Sequence, residues 1–402
     1  MIQILILTLF FYFFPKEEAY LMFNWFFCDK ASLLLNFLNL IILLVFFSMM
    51  ISPRNYTLLI FLWLDMTLMF TSSSLMQMYV FFELSLIPIF LIIFSSGKQY
   101  ERLKAGIYLF FFTLTSSLPL LISSLFLLNN LKYFNESSIQ LNSKIFLLMF
   151  LAFMVKLPIF FVHMWLPKAH VEAPVYGSMV LASLMLKLGG LGLMKVMYFS
   201  YKFWMSINQI FVSLFMIGTI IAALYCLLQP DLKILIAVSS VSHMTFLFCG
   251  LSTFFNESWV GGLMMMICHG FLSPAMFYAA NSYYVRVKTR SVYFSKAHFS
   301  CHMPTMIFMI YVINFCVPPS LNFFSEIFLS MSLISWSSVM IYPIYAYMIF
   351  SMFYSVYIFI FSSKHTGCVI SQSPLVLMEY SVLMFLVYFS FFSSLIINKF
   401  MI

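Results

Sequence analysis

The chain has 402 residues, of which 64% are hydrophobic and only 8% charged. A soluble globular domain carries about 25% charged residues, so a soluble enzyme is excluded and the chain reads as a polytopic membrane protein. The formal charge of +8 does not point to nucleic acid, because Lys and Arg sit mostly in short loops between apolar runs, where they orient a membrane protein.

A bilayer span needs about 20 apolar residues. Thirteen candidate runs follow along the chain: 2–14, 31–51, 55–73, 75–95, 104–128, 144–163, 174–199, 206–229, 231–251, 258–282, 303–333, 336–362 and 375–397. The first is short. It lacks a basic flank or a small-residue cleavage site, so no cleavable leader is expected. When loops are assigned to alternating sides, eleven Lys and Arg fall on one side and seven on the other, with Lys156 and Lys187 inside spans. The richer side is expected to face the cytoplasm or matrix, with the N-terminus there and the C-terminus opposite. The seven cysteines form no C-x-x-C pair and read as small apolar residues. No metal site is expected from them.

Ionisable residues inside apolar runs carry the functional signal, because a charge at the bilayer centre costs roughly 3 kcal/mol on insertion scales. Glu83 lies mid-run in VFFELSLIP with no charged sequence neighbour, which predicts a lysine from another helix beside it, or a protonated acid bonded between helices. Lys156 precedes Pro158, a helix breaker. Seven residues after Lys156 stands His163, on the same face if the helix continues. Residues 167–174, PKAHVEAP, read as a structured surface loop holding Lys168, His170 and Glu172. Lys187 sits ahead of Gly189-Gly190-Leu191-Gly192, small residues that admit a close neighbour. His243, in SSVSHM, and His269, in CHG, fall inside spans and suit proton shuttling; a buried histidine satisfied within the core is the plainer reading. Asp65 is a weaker candidate. In the run 303–333, Pro318-Pro319 precede Glu326, giving a second break beside an ionisable group. Broken helices beside buried charges mark ion sites in transporters.

The stretches FFELSLIP (81–88), ERLKAGIY (101–108), AFMVKLPIFFVHMWLPKAHVEAPVYGSMVLASLMLKLGGLG (152–192), DLKILIAVSSVSHM (231–244), CHG (268–270) and VPPSLNFFSEI (317–327) resemble the chain 4 family of the proton-pumping mitochondrial NADH:ubiquinone oxidoreductase, respiratory complex I. That family consists of antiporter-like membrane-arm subunits, related to multi-subunit sodium/proton antiporters. The resemblance implies an all-α transmembrane bundle of antiporter-like inverted repeats with two broken helices. The whole chain, 1–402, is expected to form one membrane domain, with half-repeats at about 55–199 and 206–335 and peripheral spans at about 336–397. Proton-transfer roles fall by position on Glu83 with Lys156, on Lys187, on His243 and His269, and on Glu326.

The resemblance further implies an inner-membrane location and partnership with other membrane-arm subunits, including sister antiporter-like chains, and with lipid. No cofactor is expected in this chain; NAD, FMN, iron–sulfur clusters and ubiquinone belong to partner subunits. Two features depart from the family. Relatives have fourteen spans, and the room before residue 31 holds one helix instead of two. The segment YYVRVKTRS (283–291) is basic where relatives carry Glu and His. The alternative function is a stand-alone cation/proton antiporter. A structural scaffold is disfavoured by the insertion cost of its embedded charges.

Overall fold

The computed structural model describes residues 20–22, 26–49, 51–96, 101–127, 143–199, 201–292, 303–362 and 374–392. A short antiparallel pair, Tyr20–Met22 with Phe26–Cys28, precedes an otherwise helical chain. The helices are α1 (Lys30–Phe47), α2 (Pro53–Phe70), α3 (Leu75–Leu84), α4 (Leu86–Ser96), α5 (Arg102–Leu127), α6 (Ser143–Lys156), α7 (Trp165–Glu172), α8 (Val175–Val180), α9 (Leu186–Phe199), α10 (Tyr201–Leu227), α11 (Leu232–Leu251), α12 (Asn256–Val287), α13 (Met303–Asn314), α14 (Leu321–Trp336), α15 (Ile341–Ser362) and α16 (Pro374–Phe392). Every apolar run from residue 31 onward contains helix, because in hydrocarbon only the helix satisfies all backbone polar groups within one segment. The run 2–14 lies outside the described residues. Eight of the described helical segments are individually long and apolar enough to cross a bilayer.

Both proline-marked breaks are present. After Lys156 the chain leaves the helix; Phe161 takes a left-handed φ of 83°, and Nε1 of Trp165 donates to the Val155 carbonyl at 2.9 Å. That bond ties α7 back onto the end of α6. The second break separates α13 from α14. There the Ser320 hydroxyl caps α14 by accepting from the Phe323 N–H, as a serine N-cap does. Because α6 ends at Lys156, Lys156 and His163 do not share a helix face, contrary to the continuous-helix expectation.

Burial is uneven. The α8–α9 segment and α11 are each 94% buried within the chain, against 33% for the segment containing α15. The most enclosed helices therefore carry Lys187 and His243. The hydroxyls of Ser239, Ser240 and Ser242 donate to carbonyls three residues earlier on α11, at 2.8, 2.6 and 2.8 Å. These bonds satisfy hydroxyl groups that would otherwise be stranded in an apolar interior.

Close approach between α6 and α9 depends on glycine. A Cβ on Gly189 would lie 2.7 Å from the Leu157 backbone nitrogen, and one on Gly192 would lie 2.2 Å from the Phe153 ring. The Phe153 ring can turn aside, but the Leu157 backbone cannot without moving the break. Gly189→Ala is therefore expected to destabilise the fold by about 1–3 kcal/mol, the usual cost of overpacking. The check is the thermal midpoint of the detergent-solubilised protein; an unchanged midpoint would show that α9 can retreat freely.

Candidate functional site

The site is built outward from Lys187. Residues Leu181–Met185 form a π turn between α8 and α9. A π turn widens the helix and disturbs its regular bonding. The Lys187 side chain folds back over this turn, so that Nζ donates to the Ala182 carbonyl at 2.9 Å. Its other neighbour is Nδ1 of His269 on α12, at 3.0 Å. A protonated lysine donates to a neutral imidazole at this distance, and the proton can pass along the same bond. The other imidazole nitrogen of His269, Nε2, is buried with no hydrogen-bond partner among the described residues.

From His269 the line reaches His243 on α11, with 6.2 Å between ring centroids. Both nitrogens of His243 are engaged. Nδ1 lies 2.9 Å from the Tyr347 hydroxyl and Nε2 lies 2.9 Å from the Tyr354 hydroxyl, both tyrosines on α15. Oε1 of Glu326 on α14 stands 3.5 Å from the same Nδ1. That separation is an ion-pair contact, longer than a good hydrogen bond, and Oε1 makes no hydrogen bond among the described residues. The thiol of Cys316, in the break before α14, hydrogen-bonds to Glu326, and Nδ2 of Asn322 donates to that thiol at 2.8 Å. Lys187, His269, His243 and Glu326 are each at most 2% exposed.

Glu83 and Lys156 form the other part. Lys156 Nζ donates to the Phe82 carbonyl at 3.4 Å and sits 3.9 Å over the Phe82 ring, one residue from Glu83. The Glu83 carboxylate is half-buried, hydrogen-bonded by Ser117 of α5, and lies in the field of Lys156. Among the described residues the two do not approach within 4.0 Å as a direct ion pair. The ammonium turns instead to the Phe82 carbonyl and ring. Lys156 and Lys187 share no hydrogen-bond partner among the described residues. The segments meet where Gly189 of α9 touches the backbone at Lys156 and Leu157.

The segment 167–174 is not a surface loop. Most of it belongs to α7, packed against α5 and α11, with His170 fully buried and stacked on Phe277 of α12 at 4.7 Å and 2°. Both imidazole nitrogens of His170 lack a hydrogen-bond partner among the described residues. The neighbouring Lys233 of α11 donates to the Val171 and Ala173 carbonyls at 3.4 and 3.0 Å, closing the C-terminal end of α7. His163 stacks on Phe160 at 5.3 Å and stands outside the line. Asp65 is buried, also outside it. In the basic stretch 283–291, Arg286 in the last turn of α12 pairs with Glu379 of α16 at 2.5 Å.

Tyr347, Tyr354 and Cys316 escaped the sequence reading. Phenols and thiols carry no charge to make them conspicuous in a chain with 23 Tyr and 7 Cys. The usable signal was the seven-residue spacing of the two tyrosines, which sets both on one helix face.

The family model described as NADH:quinone oxidoreductase/Mrp antiporter, transmembrane, matches residues 72–355. NADH-ubiquinone oxidoreductase chain 4 of Ceratitis capitata is 44% identical over 312 residues, which cover 76% of this chain and 69% of the relative. The chain 4 protein of Rhipicephalus sanguineus is 36% identical over 402 residues, covering 96% of this chain and 91% of the relative. Among solved structures, a chain of respiratory complex I from Thermus thermophilus with bound NADH superposes with a TM-score of 0.82 at 20% identity, covering 100% of this chain and 92% of that one. At that identity the likeness concerns the fold alone.

Proposed function

The chain belongs to the NADH:quinone oxidoreductase/Mrp antiporter transmembrane family, and we propose that it is a proton-translocating, antiporter-like subunit of NADH:ubiquinone oxidoreductase, a multi-pass protein of the mitochondrial inner membrane. The observation that carries this reading is the buried line Lys187–His269–His243–Glu326 across the most enclosed helices. A packing core has no use for four ionisable groups in sequence, since each pays desolvation on burial.

Protonated Lys187 hands its proton to Nδ1 of His269 along the 3.0 Å contact. His269 releases it from Nε2 through one bridging water, for which 6.2 Å between ring centroids leaves room, to Nε2 of His243, where the Tyr354 hydroxyl turns from donor to acceptor. His243 then delivers to Glu326 from Nδ1 across 3.5 Å. Glu83 and Lys156 act upstream. Their segment reaches that of Lys187 where Gly189 of α9 touches the backbone at Lys156 and Leu157. Electrons do not pass through this chain in our reading. Flavin, iron–sulfur clusters, NAD and ubiquinone belong to partner subunits, and sister antiporter-like chains and lipid flank it in the membrane arm.

Two experiments test this. Mild-detergent purification through this chain should bring down flavin- and iron–sulfur-containing subunits with NADH:ubiquinone reductase activity. Recovery of the chain in a complex without them, exchanging sodium for protons, would establish the stand-alone antiporter instead. The variant Glu83→Gln keeps the side chain's shape and hydrogen bonding, so assembly should persist. Coupled turnover should fall roughly tenfold or more with the loss of a proton-transfer group. Full proton pumping in that variant would remove Glu83 from the path.

A further inference from the structure

We propose that Tyr347 and Tyr354 form a phenol clamp on His243, in which Tyr347 is a positioning residue that competes with Glu326 for the Nδ1 proton; the proposal rests on the relay reading above. The two tyrosines stand seven residues apart on α15 and are fully buried. Their hydroxyls lie 2.9 Å from Nδ1 and 2.9 Å from Nε2 of His243. The Tyr347 ring stacks on Phe246 at 4.7 Å and 19°. Phe246 lies three residues after His243 on α11, so phenol and imidazole are held by the same helix.

A phenol hydroxyl can accept a hydrogen bond and donate one. Neutral His243 therefore donates its one N–H to one tyrosine and accepts from the other. Its two tautomers differ only in which tyrosine does which. When His243 is cationic, both nitrogens donate and both phenol oxygens accept. Every protonation state is satisfied without moving a helix, as a buried relay group requires. The asymmetry lies at Nδ1, where a second acceptor, Glu326, waits at 3.5 Å. Tyr347 holds the Nδ1 proton on a neutral oxygen until the imidazole tilts toward the carboxylate. Without that hydroxyl, Nδ1–H and Glu326 would close into a charge-assisted pair, which is the stronger bond. The proton would then be trapped between them.

The groups that bear on His243 come from each neighbouring element. They are His269 of α12, Glu326 of α14, the two tyrosines of α15, and the Ser242 hydroxyl on its own helix, which lies beside Tyr354 and donates to the Ser239 carbonyl. The thiols of Cys226 on α10 and Cys316 in the break reach the two tyrosines electrostatically. Removing one phenol hydroxyl leaves this set otherwise unchanged.

The test is the pH profile of NADH:ubiquinone turnover and proton pumping in the assembled membrane complex. Tyr347→Phe keeps the ring stack and leaves Glu326 as the Nδ1 partner, so the imidazolium is held more firmly. The alkaline limb of turnover should move to higher pH. Tyr354→Phe strips the Nε2–H of its acceptor, so the same limb should move down. A general loss of packing would not give opposite signs. Shifts in one direction for both variants, or no shift in either, overturn the clamp. If Tyr347→Phe fails to assemble, infrared difference spectra of the wild-type complex with isotope-labelled tyrosine answer the question. A phenol C–O band should move across the same pH range and vanish in His243→Gln; no such band overturns the clamp. The controls His243→Gln and Glu326→Gln separate the two readings. If they lose pumping while the tyrosine variants behave as wild type, only the clamp fails. If they pump normally, the relay itself is wrong and the clamp falls with it.

Discussion

Lys187→Arg is expected to assemble normally and to lose proton-coupled turnover by roughly 100-fold or more, the scale of a removed general acid–base group. The lysine ammonium sits between the Ala182 carbonyl at 2.9 Å and Nδ1 of His269 at 3.0 Å. Its task there is to give up a proton and take another. A guanidinium keeps the charge and can still donate to both neighbours, but it does not release a proton at any working pH. If Lys187 were only a fixed positive charge organising the π turn, arginine would substitute well. Reduction of an artificial electron acceptor by NADH should be unaffected if that chemistry lies in partner subunits, as proposed above. The comparison is therefore pumping and quinone turnover against acceptor reduction, in wild type, Lys187→Arg and Lys187→Ala. Near-full coupled turnover in Lys187→Arg would make Lys187 an electrostatic fixture and require a relay without it.

What the sequence disclosed, it disclosed through cost. Apolar runs of span length became helices because hydrocarbon permits little else. Pro158 and Pro318-Pro319 announced both breaks because proline removes a helix donor. Lys187, His243, His269 and Glu326 stood out because ionisable groups at such depth are expensive, and the structure gathers all four on one line. What stayed hidden depended on tertiary choice. Nothing in Leu181-Ala182-Ser183-Leu184-Met185 announces a π turn. His170 was assigned to a loop because prolines flank it, yet packing under Phe277 buries it completely. Lys156 has two attractive neighbours, the Glu83 carboxylate and the Phe82 carbonyl with its ring, and no sequence rule says which the ammonium will face. The partners of His243 are uncharged phenols from a helix about a hundred residues away, so charge patterning cannot find them.

At the far end of the line, Glu326 should tolerate shape changes in a defined order. Glu326→Gln preserves length and hydrogen bonding, including the bond to the Cys316 thiol, but an amide cannot carry the proton. Pumping should drop about 100-fold while the complex assembles. Glu326→Asp keeps the acid and withdraws it by about 1.5 Å, one carbon–carbon bond. The native contact with Nδ1 of His243 is already 3.5 Å, so the aspartate needs a bridging water for each transfer. Pumping should then be slowed severalfold and remain measurable. The expected order is Glu above Asp above Gln, and it separates chemistry from geometry. If Glu326 served only to complete packing around the second break, Gln would match Glu and Asp would be worst, because Asp alone opens a cavity beside Cys316 and Asn322. Measuring protons pumped per NADH oxidised in the three proteins, with assembly confirmed by native electrophoresis, decides between them. Gln pumping as well as or better than Asp would end the case for Glu326 as the terminal proton carrier.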